Sequence, residues 1–477
     1  MDWLRWTLLA LVTLFACLTA VHALITKRDS RAALGWVTVC LMFPFAGPVA
    51  YFVFGINRVR TRAQEMRARH LFAYGEVYDP AWAPDDAPLT DPPLEPELAG
   101  VARLSSVVGR RPLVEGNAVD VLFDGEECYP AMLRAVDEAR ETLYLATYIF
   151  ETNQTGLRFI DALARAAERG VDVRIILDGV GEMYSWPHAG RLLCKRGVRV
   201  VRFLPPKLFP PTLNINLRNH RKILVADGKV AFTGGMNIGD RHLAANVANP
   251  SRVVDAHFRL YGPIVAQIES VFLDDWSFLT GELRPPRAEV PATAGPALCR
   301  TIVDGPNEDM DKLQTILIGV VSLARRRLWI MTPYFLPPAG LVAAMQAAAL
   351  RGVDVCVILP ERNNLPYVAW ATRNMLWELL QRGVRVCYQP GPFVHTKLLL
   401  MDDGYVQIGS ANLDSRSLRL NFELVVEVYD RVFAETISSH LVAKRKVSRE
   451  VTLAELAARP FGERVRDAAV WLFTPYL

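Results

Sequence analysis

Two stretches of the chain carry histidine, lysine and aspartate at one shared spacing, H-x-K-x-x-x-x-D. The residues are His220, Lys222 and Asp227 in the first copy and His395, Lys397 and Asp402 in the second. A shuffled chain of this composition would give on the order of 0.01 such matches, so two copies are not coincidental. An imidazole can attack phosphorus or carry a proton, and an ammonium group stabilises charge on phosphoryl oxygens. The two motifs therefore predict chemistry on a phosphodiester.

The spacing within each motif predicts a strand that runs into a hairpin. Residues i and i+2 of a strand point to the same face, so each histidine stands beside its lysine. The aspartate falls next to a glycine, in Asp227-Gly228 and in Asp402-Asp403-Gly404, which is typical of a hairpin turn. Each return strand is followed by an asparagine, Asn237 or Asn412, whose amide can donate to an oxygen. The predicted site therefore combines two imidazoles, two ammonium groups and two amides.

The elements that position these motifs are also duplicated. Three landmarks recur at offsets of 182, 186 and 185 residues: Arg169–Val173 as Arg351–Val355, Arg196–Val200 as Arg382–Val386, and Leu143–Thr147 as Leu328–Thr332. Near-constant offsets indicate a duplicated domain. Amphipathic helices alternate with short β-branched runs, and each Arg-Gly-Val glycine lies where a helix should end. We predict an α/β fold with two duplicated domains, residues 100–300 and 301–450, each a mixed, largely parallel sheet flanked by helices.

The N-terminal 60 residues are predicted to form a two-helix membrane hairpin. Trp6–Thr26 and Ala32–Ile56 are each apolar and long enough to cross a bilayer. Pro44 and Pro48 would kink the second segment, which can make it re-entrant. A cleaved signal peptide is the alternative for the first segment, although its apolar run is too long. Five arginines after the hairpin place the catalytic part in the cytoplasm by the positive-inside rule, and they could attract anionic lipids.

Composition limits the remaining possibilities. The net charge is +4, and such a balanced chain lacks the strongly basic character of most nucleic-acid binders. The seven cysteines show no C-x-x-C spacing and indicate reduced thiols rather than a zinc site. No carboxylate cluster for Mg²⁺ is evident, so neither a metal nor a cofactor is predicted. Residues 61–99 are predicted to be a basic, proline-rich linker, and residues 451–477 an amphipathic tail that could lie on a membrane.

The motifs resemble those of the phospholipase D superfamily over nearly the whole chain. The resemblance implies catalytic roles for all six H-x-K-x-x-x-x-D residues and phosphate binding by Asn237 and Asn412. It also implies an acidic residue beyond each motif, and Asp255 and Glu423 match those positions. Such an acid can hydrogen-bond an imidazole and fix its tautomer.

Within the superfamily, the chain is most similar to bacterial cardiolipin synthases. The stretches that carry this likeness are Asn219–Lys222, Gly234–Asp240, Tyr261–Pro263 and Asp275-Trp276. Arg241-His242 departs from the family pattern, in which an acid and an aromatic residue are usual. The resemblance implies a multi-pass protein of the bacterial inner membrane that faces the cytoplasm. Its partners would be phosphatidylglycerol and anionic membrane lipid, with no nucleic acid; an oligomeric state is not predicted.

The implied reaction is transfer of a phosphatidyl group between two phosphatidylglycerols, with release of glycerol. His220 is predicted to attack phosphorus and form a phosphohistidine, while His395 protonates the leaving glycerol and then deprotonates the incoming hydroxyl. Apolar segments such as Phe203–Pro206 and Leu208–Pro211 could exclude water and hold acyl chains. The alternatives are a phospholipase D hydrolase or headgroup-exchange enzyme, use of phosphatidylethanolamine as one donor, and, less probable, a nuclease.

Overall fold

The computed structural model describes residues 2–27, 30–55, 94–206, 217–282, 291–305 and 311–474. The chain divides into two compact units, residues 1–65 and 66–477, which are described separately. The predicted basic segment, most of the proline-rich linker, the apolar stretch Leu208–Pro211 and the last three residues lie outside the described residues.

The N-terminal unit has one long helix and a second segment that is broken. It comprises α1 (Asp2–Thr26), α2 (Ser30–Met42), α3 (Ala46–Ala50) and a π-helical turn (Tyr51–Gly55). Among the described residues, α1 alone is long and apolar enough to cross a membrane, over Trp3–Thr26. The second predicted segment is interrupted where Pro44 removes a backbone donor, and the 13 residues of α2 span only about 20 Å.

The two pieces of the hairpin nevertheless contact each other within this unit. Ala20 and Ala23 of α1 pack with Cys40 of α2 and with Tyr51. The Tyr51 hydroxyl lies 2.8 Å from Nδ1 of His22. A helical hairpin is therefore present, but only its first helix has the length of a complete span.

The large unit contains two repeats of one element order. After helix α4 (Pro96–Gly109), the first repeat comprises β1 (Val114–Phe123), α5 (Asp124–Glu138), β2 (Thr142–Thr147), α6 (Gln154–Glu168), β3 (Asp172–Asp178), α7 (Ala189–Lys195), β4 (Arg199–Phe203), β5 (Ile223–Ala226), β6 (Val230–Gly234), β7 (Val253–Val254), β8 (Ala256–Tyr261) and α8 (Ile264–Thr280). The predicted duplication is confirmed by the second repeat, which follows the same path with two additional short strands.

The second repeat ends in a C-terminal extension. The repeat comprises β9 (Ala297–Asp304), α9 (Lys312–Leu323), β10 (Arg327–Met331), β11 (Phe335–Leu336), α10 (Ala339–Leu350), β12 (Asp354–Pro360), α11 (Pro366–Leu380), β13 (Arg385–Gln389), β14 (Phe393–Val394), β15 (Leu398–Met401), β16 (Tyr405–Gly409), β17 (Leu413–Asp414), β18 (Glu423–Tyr429) and α12 (Arg431–Val447). The extension comprises β19 (Arg449–Glu450), α13 (Leu453–Ala457) and α14 (Phe461–Trp471).

Both repeats contribute to one sheet of 15 strands among the described residues. The order is β19-β13-β12-β10-β15-β16-β18-β9-β1-β8-β6-β5-β2-β3-β4, so the repeats meet where β1 pairs antiparallel with β9. The mixed sheet is confirmed, but the expected parallel majority was wrong. In this sheet, parallel pairing is confined to β2-β3-β4 and β10-β12-β13, the strands joined through helices. The hairpin of each motif and its neighbouring strands pair antiparallel, because tight turns reverse the chain.

Each repeat has its own apolar core between the sheet and its helices. The predicted helix ends are confirmed at Gly170 and Gly352, whose φ angles of +88° and +89° suit glycine at a helix C-terminus. Helix α4 precedes the first repeat in sequence but packs Leu98 and Val101 into the core of the second. The predicted domain boundary at residue 100 therefore cuts through a helix that belongs with the second repeat.

The C-terminal extension is attached to the second repeat. Asp467 of α14 is fully buried and forms ion pairs with Arg373, Arg459 and Arg466. Phe461 and Leu472 of the same region are 80% and 70% exposed. One face of the predicted amphipathic tail thus docks on the protein, and an apolar face remains in contact with solvent.

Candidate active site

The two motif histidines are held by backbone hydrogen bonds that cross between the repeats. The amide of His220 donates to the carbonyl of Phe422 at 2.9 Å, just before β18 of the second repeat. The amide of His395 donates to the carbonyl of Val254 at 2.8 Å, in β7 of the first repeat. Strands β14 and β7 pair in parallel over these residues. Each histidine is therefore fixed to the segment of the other repeat that leads into an acidic residue.

The acidic residues pair with the histidines in the same crossed manner. Glu423 Oε2 lies 3.2 Å from Nδ1 of His220, and Asp255 Oδ2 lies 2.8 Å from Nδ1 of His395. Both carboxylates are fully buried and both imidazoles nearly so. An ionised carboxylate can only accept, so Nδ1 carries the proton and Nε2 keeps a free lone pair. The structure thus places an acid at each imidazole, as predicted for Asp255 and Glu423.

Each lysine lies beside the histidine of its own motif, as predicted, but both residues precede the strand on which they were expected, because β5 begins at Ile223 and β15 at Leu398. Lys222 Nζ donates to the carbonyl of His220 at 2.6 Å, and Lys397 Nζ donates to the carbonyl of His395. Lys397 Nζ is also 3.1 Å from Nδ1 of its histidine. Burial lowers the pKa of Lys222 to about 7 and that of Lys397 to about 8, against the pull of the nearby carboxylates.

The same surroundings favour the neutral form of both imidazoles. Burial lowers the pKa of His220, and Glu423 opposes this shift. Burial and the ammonium groups of Lys397 and Lys222 lower the pKa of His395 well below its usual range. Burial raises the pKa of Glu423, but His220 and Lys222 outweigh it and the net shift is downward. A buried site with this much positive potential favours an anion such as a phosphodiester.

The two asparagines lie at the site, but their amides are oriented differently. Asn237 Oδ1 accepts the amide of Ile149 at 3.2 Å, which leaves its NH₂ group as the end that can donate to a phosphoryl oxygen. Asn412 instead donates Nδ2 to Ser417 Oγ at 3.2 Å. Its Oδ1 is buried and accepts no hydrogen bond from the described part of the chain. The expected donor role suits Asn237 and does not suit Asn412 in this arrangement.

The motif aspartates lie away from the histidines, at the far end of each hairpin. Asp227 lies five positions after Lys222, with the four residues of β5 between them, which corresponds to about 16 Å at ~3.3 Å per residue. Its carboxylate accepts the backbone amides of Glu141 and Thr142 at 2.8 and 3.0 Å. Asp402 accepts the amides of residues 325–327 in the same way. The expectation that these aspartates are catalytic is therefore not supported, because they anchor the starts of β2 and β10.

Sequence reasoning missed a set of side chains that surround the imidazoles. The ring centroid of Tyr148 lies 5.2 Å from that of His220, and the ring of Tyr334 lies 6.5 Å from that of His395. Both tyrosines follow the carboxyl ends of the central strands β2 and β10, a position that could have identified them. Ser410 Oγ donates at 2.5 Å to Glu423 Oε2, the oxygen that also faces Nδ1 of His220.

A third buried histidine lies close to His395. The ring centroids of His242 and His395 are 6.3 Å apart. His242 Nε2 accepts the backbone amide of Asn237 at 3.3 Å, so it helps to position the loop that carries this asparagine. Burial lowers the pKa of His242 to about 3, which keeps it neutral. The preceding residue, Arg241, forms an ion pair with Glu151.

Comparison with known proteins agrees with this geometry. Residues 132–276 and 317–444 match the family described as "Cardiolipin synthase, PLD-like domain". Residues 8–55 match the family described as "Phospholipase_D-nuclease N-terminal". The two matched parts of the first family correspond to the two repeats.

Full-length relatives and one solved structure extend the comparison. Cardiolipin synthase A of Pseudomonas entomophila (strain L48) is 33% identical over 448 residues, which cover 93% of this chain and 92% of the relative. The major cardiolipin synthase of Bacillus subtilis (strain 168) is 29% identical over 493 residues, which cover 98% of this chain and 99% of the relative. The crystal structure of phosphatidylserine synthase from Haemophilus influenzae Rd KW20 matches in fold, with a TM-score of 0.62 and 15% identity, covering 79% of this chain and 100% of that one.

Proposed function

The chain belongs to the cardiolipin synthase family of phospholipase D-like proteins, and from this premise we propose how its paired histidines transfer a phosphatidyl group. The enzyme is a phosphatidyltransferase that joins two phosphatidylglycerols into cardiolipin and releases glycerol. The observation that carries the mechanism is the crossed pairing of His220 with Glu423 and of His395 with Asp255. It fixes both Nδ1 protons and leaves two Nε2 atoms for reaction.

In the first step, His220 Nε2 attacks the phosphorus of the donor lipid. The N–P bond forms, the bond from phosphorus to the glycerol oxygen breaks, and His395 gives that oxygen a proton. The pKa of His395 is lowered in the protein alone, so the imidazole takes up a proton from water as the anionic phosphodiester binds. The negative charge of the lipid opposes the ammonium groups that lower its pKa.

In the second step, a second phosphatidylglycerol replaces the released glycerol. His395 takes the proton of its hydroxyl, the oxygen attacks phosphorus, and the bond to His220 breaks. One phosphodiester replaces another, so no nucleotide is consumed. Lys222 and Lys397 stabilise the charge that builds on the non-bridging oxygens, together with the amide of Asn237.

The lipid substrates imply a protein that works at a membrane surface. The apolar helix α1 supports membrane association. We propose that the N-terminal unit anchors the enzyme in the bacterial inner membrane as a multi-pass hairpin with the catalytic unit in the cytoplasm. Anionic lipid headgroups would then surround the basic segment that follows the hairpin.

A defined lipid mixture tests this function. Purified protein and vesicles of phosphatidylglycerol alone should yield cardiolipin and glycerol, which mass spectrometry identifies. Adding phosphatidylethanolamine to the vesicles shows whether it also serves as a donor. Phosphatidic acid as the main product would identify a hydrolase instead and would overturn the proposal.

A further inference from the structure

Strand pairing shows which residues of the two repeats are equivalent outside the H-x-K-x-x-x-x-D motifs. In the first repeat, Phe150 forms a parallel bridge with Ile238. In the second repeat, Phe335 of β11 forms the same bridge with Leu413 of β17, and the pairing continues from Leu336 to Asp414. Position 151 therefore corresponds to 336, and position 239 to 414. Continuing this register by two residues makes Arg241 equivalent to Arg416.

In the first repeat, the space at these positions is filled by an ion pair. Glu151 lies against Gly239. A Cβ added at position 239 would come within 2.8 Å of Cδ of Glu151, so glycine leaves the room that this side chain needs. The carboxylate binds the guanidinium of Arg241 and accepts Asn153 Nδ2 at 2.7 Å. The arginine of the first repeat is thus held by an acid at its side.

The second repeat has exchanged these residues and contains a cavity. Apolar Leu336 stands where the first repeat has Glu151, and Asp414 stands where it has glycine. The Asp414 carboxylate accepts the amide of Ser417 at 2.8 Å. Burial raises the pKa of Asp414 to about 6 and the nearby Arg416 opposes this shift, so the second arginine also has an acid beside it. A cavity of about 350 Å³ lies here, within the roughly 300–1,000 Å³ of ligand pockets. Arg416 lines this cavity together with apolar side chains such as Leu336.

The cavity adjoins the acid–base histidine. Tyr334 lines it and places its ring 6.5 Å from that of His395. Asn412 also lines it, and its Oδ1 is the buried acceptor without a partner among the described residues. A buried acceptor of this kind gains a hydrogen bond when a ligand hydroxyl enters. The wall thus offers an acceptor, a cation and apolar contacts within reach of His395.

We propose that this cavity binds the headgroup of the acceptor lipid, with Arg416 on the lipid's own phosphate and Asn412 Oδ1 accepting from a glycerol hydroxyl. The inference rests on the proposed function, in which His395 serves the leaving glycerol and the incoming hydroxyl in turn. When the acceptor is phosphatidylglycerol, its own phosphate is separated from the reacting phosphorus only by the glycerol that carries the attacking hydroxyl. A guanidinium is suited to bind that phosphate, whereas a neutral alcohol acceptor has no phosphate for Arg416 to bind.

Competition between two acceptors tests the proposal. The full-length enzyme is given phosphatidylglycerol vesicles with ethanol, and cardiolipin and phosphatidylethanol are measured together. Arg416→Gln should lower cardiolipin formation by about tenfold or more, the loss expected for a charged hydrogen bond. Phosphatidylethanol formation should stay within about threefold of wild type, because donor chemistry is intact. Equal loss of both products, or loss of neither, would overturn the proposal.

Two further variants distinguish loss of acceptor binding from loss of the folded protein. Arg241→Gln changes the equivalent arginine, whose space is already filled, and should leave the ratio of the two products unchanged. Arg416→Lys keeps the positive charge and should retain more of the cardiolipin-to-phosphatidylethanol ratio than Arg416→Gln does. Circular dichroism melting curves verify that each variant is folded, and a ratio in folded Arg416→Lys as low as that in Arg416→Gln counts against the subsite. If the wild type makes no cardiolipin, the proposed function fails rather than the subsite.

Discussion

Asp255 Oδ2 lies 2.8 Å from Nδ1 of His395, although 140 residues separate them and they belong to different repeats. Glu423 and His220 form the reciprocal pair across 203 residues. Neither repeat alone therefore holds a complete imidazole–carboxylate pair. The duplicated sheet, joined through β1 and β9, is what brings the four side chains to one place.

The crossed pairs predict that each carboxylate serves the histidine of the other repeat. Glu423→Gln should slow formation of the phosphohistidine on His220, and Asp255→Asn should slow proton transfer through His395. A loss of about 10- to 100-fold is expected for each, as is typical when a supporting carboxylate is removed. Initial rates with phosphatidylglycerol vesicles measure the loss.

A second substrate separates the two roles. A phosphatidyl ester of p-nitrophenol releases an oxygen that needs no proton, so it should rescue the first step in Asp255→Asn and leave Glu423→Gln slow. Rescue of Glu423→Gln alone would contradict the prediction, because it would place Glu423 with the acid–base histidine.

The same ester assigns the nucleophile. His395→Ala should release a burst of p-nitrophenol and retain a covalent phosphatidyl group, because His220 is intact and the leaving group needs no acid. His220→Ala should give neither. With phosphatidylglycerol, both variants should fall by at least about 10²-fold, the usual contribution of a general acid–base group. A burst from His220→Ala instead would assign attack to His395.

Much of this site could be predicted from the sequence, because local spacing determines it. The spacing of two residues sets His220 beside Lys222 in the extended segment before β5, and the aspartate–glycine pair sets the turn that follows the strand. The resemblance to a known family supplied Asp255 and Glu423. Spacing could not show which acid meets which histidine, since that depends on how β7 and β14 pair across the repeats.

Other features were mispredicted for physical reasons. The catalytic role predicted for Asp227 rested on the motif alone, whereas β5 separates its carboxylate from the histidines and the carboxylate binds backbone amides. The parallel share of the sheet was overestimated because helix–strand alternation is visible in sequence and the antiparallel return strands are short. The cavity beside Arg416 depends on an exchange of residues between facing segments, which sequence offsets alone do not reveal.

Asp227 is predicted to stabilise the fold rather than the reaction. Asp227→Asn removes charged hydrogen bonds to the start of β2 and should lower the free energy of unfolding by about 1–3 kcal/mol. Burial alone would raise the pKa of Asp227, but the amides of Thr142, Glu141 and Arg140 lower it below its usual value. This stabilisation is present above the ordinary pKa of ~3.9 and is lost as the pH falls through the lowered pKa.

Denaturant unfolding at several pH values measures this effect. The difference between wild type and Asp227→Asn should be largest at neutral pH and shrink in acid, while kcat of the folded variant stays near wild type. Asp402→Asn is the matched variant in the second repeat. A large loss of kcat without a loss of stability would return these aspartates to the active site.

The lowered lysine pKa values predict an alkaline limit on activity that is unrelated to unfolding. Lys222 and Lys397 titrate at about 7 and about 8, so their charge is present below those values and is lost as the pH rises. kcat/KM, which reports the free enzyme, should fall through this window, and Lys222→Arg should leave only the limb near 8.

Stability should change in the opposite direction. Between the lowered pKa of each folded lysine and the ordinary value of ~10.4, the unfolded chain binds more protons, so unfolding becomes less favourable as the pH rises. kcat should fall at a higher pH than kcat/KM does, because the bound phosphodiester favours the ammonium form of both lysines. Parallel loss of activity and of the folded state would contradict this assignment, whereas activity that falls while the protein grows more stable identifies the lysine charges as the cause.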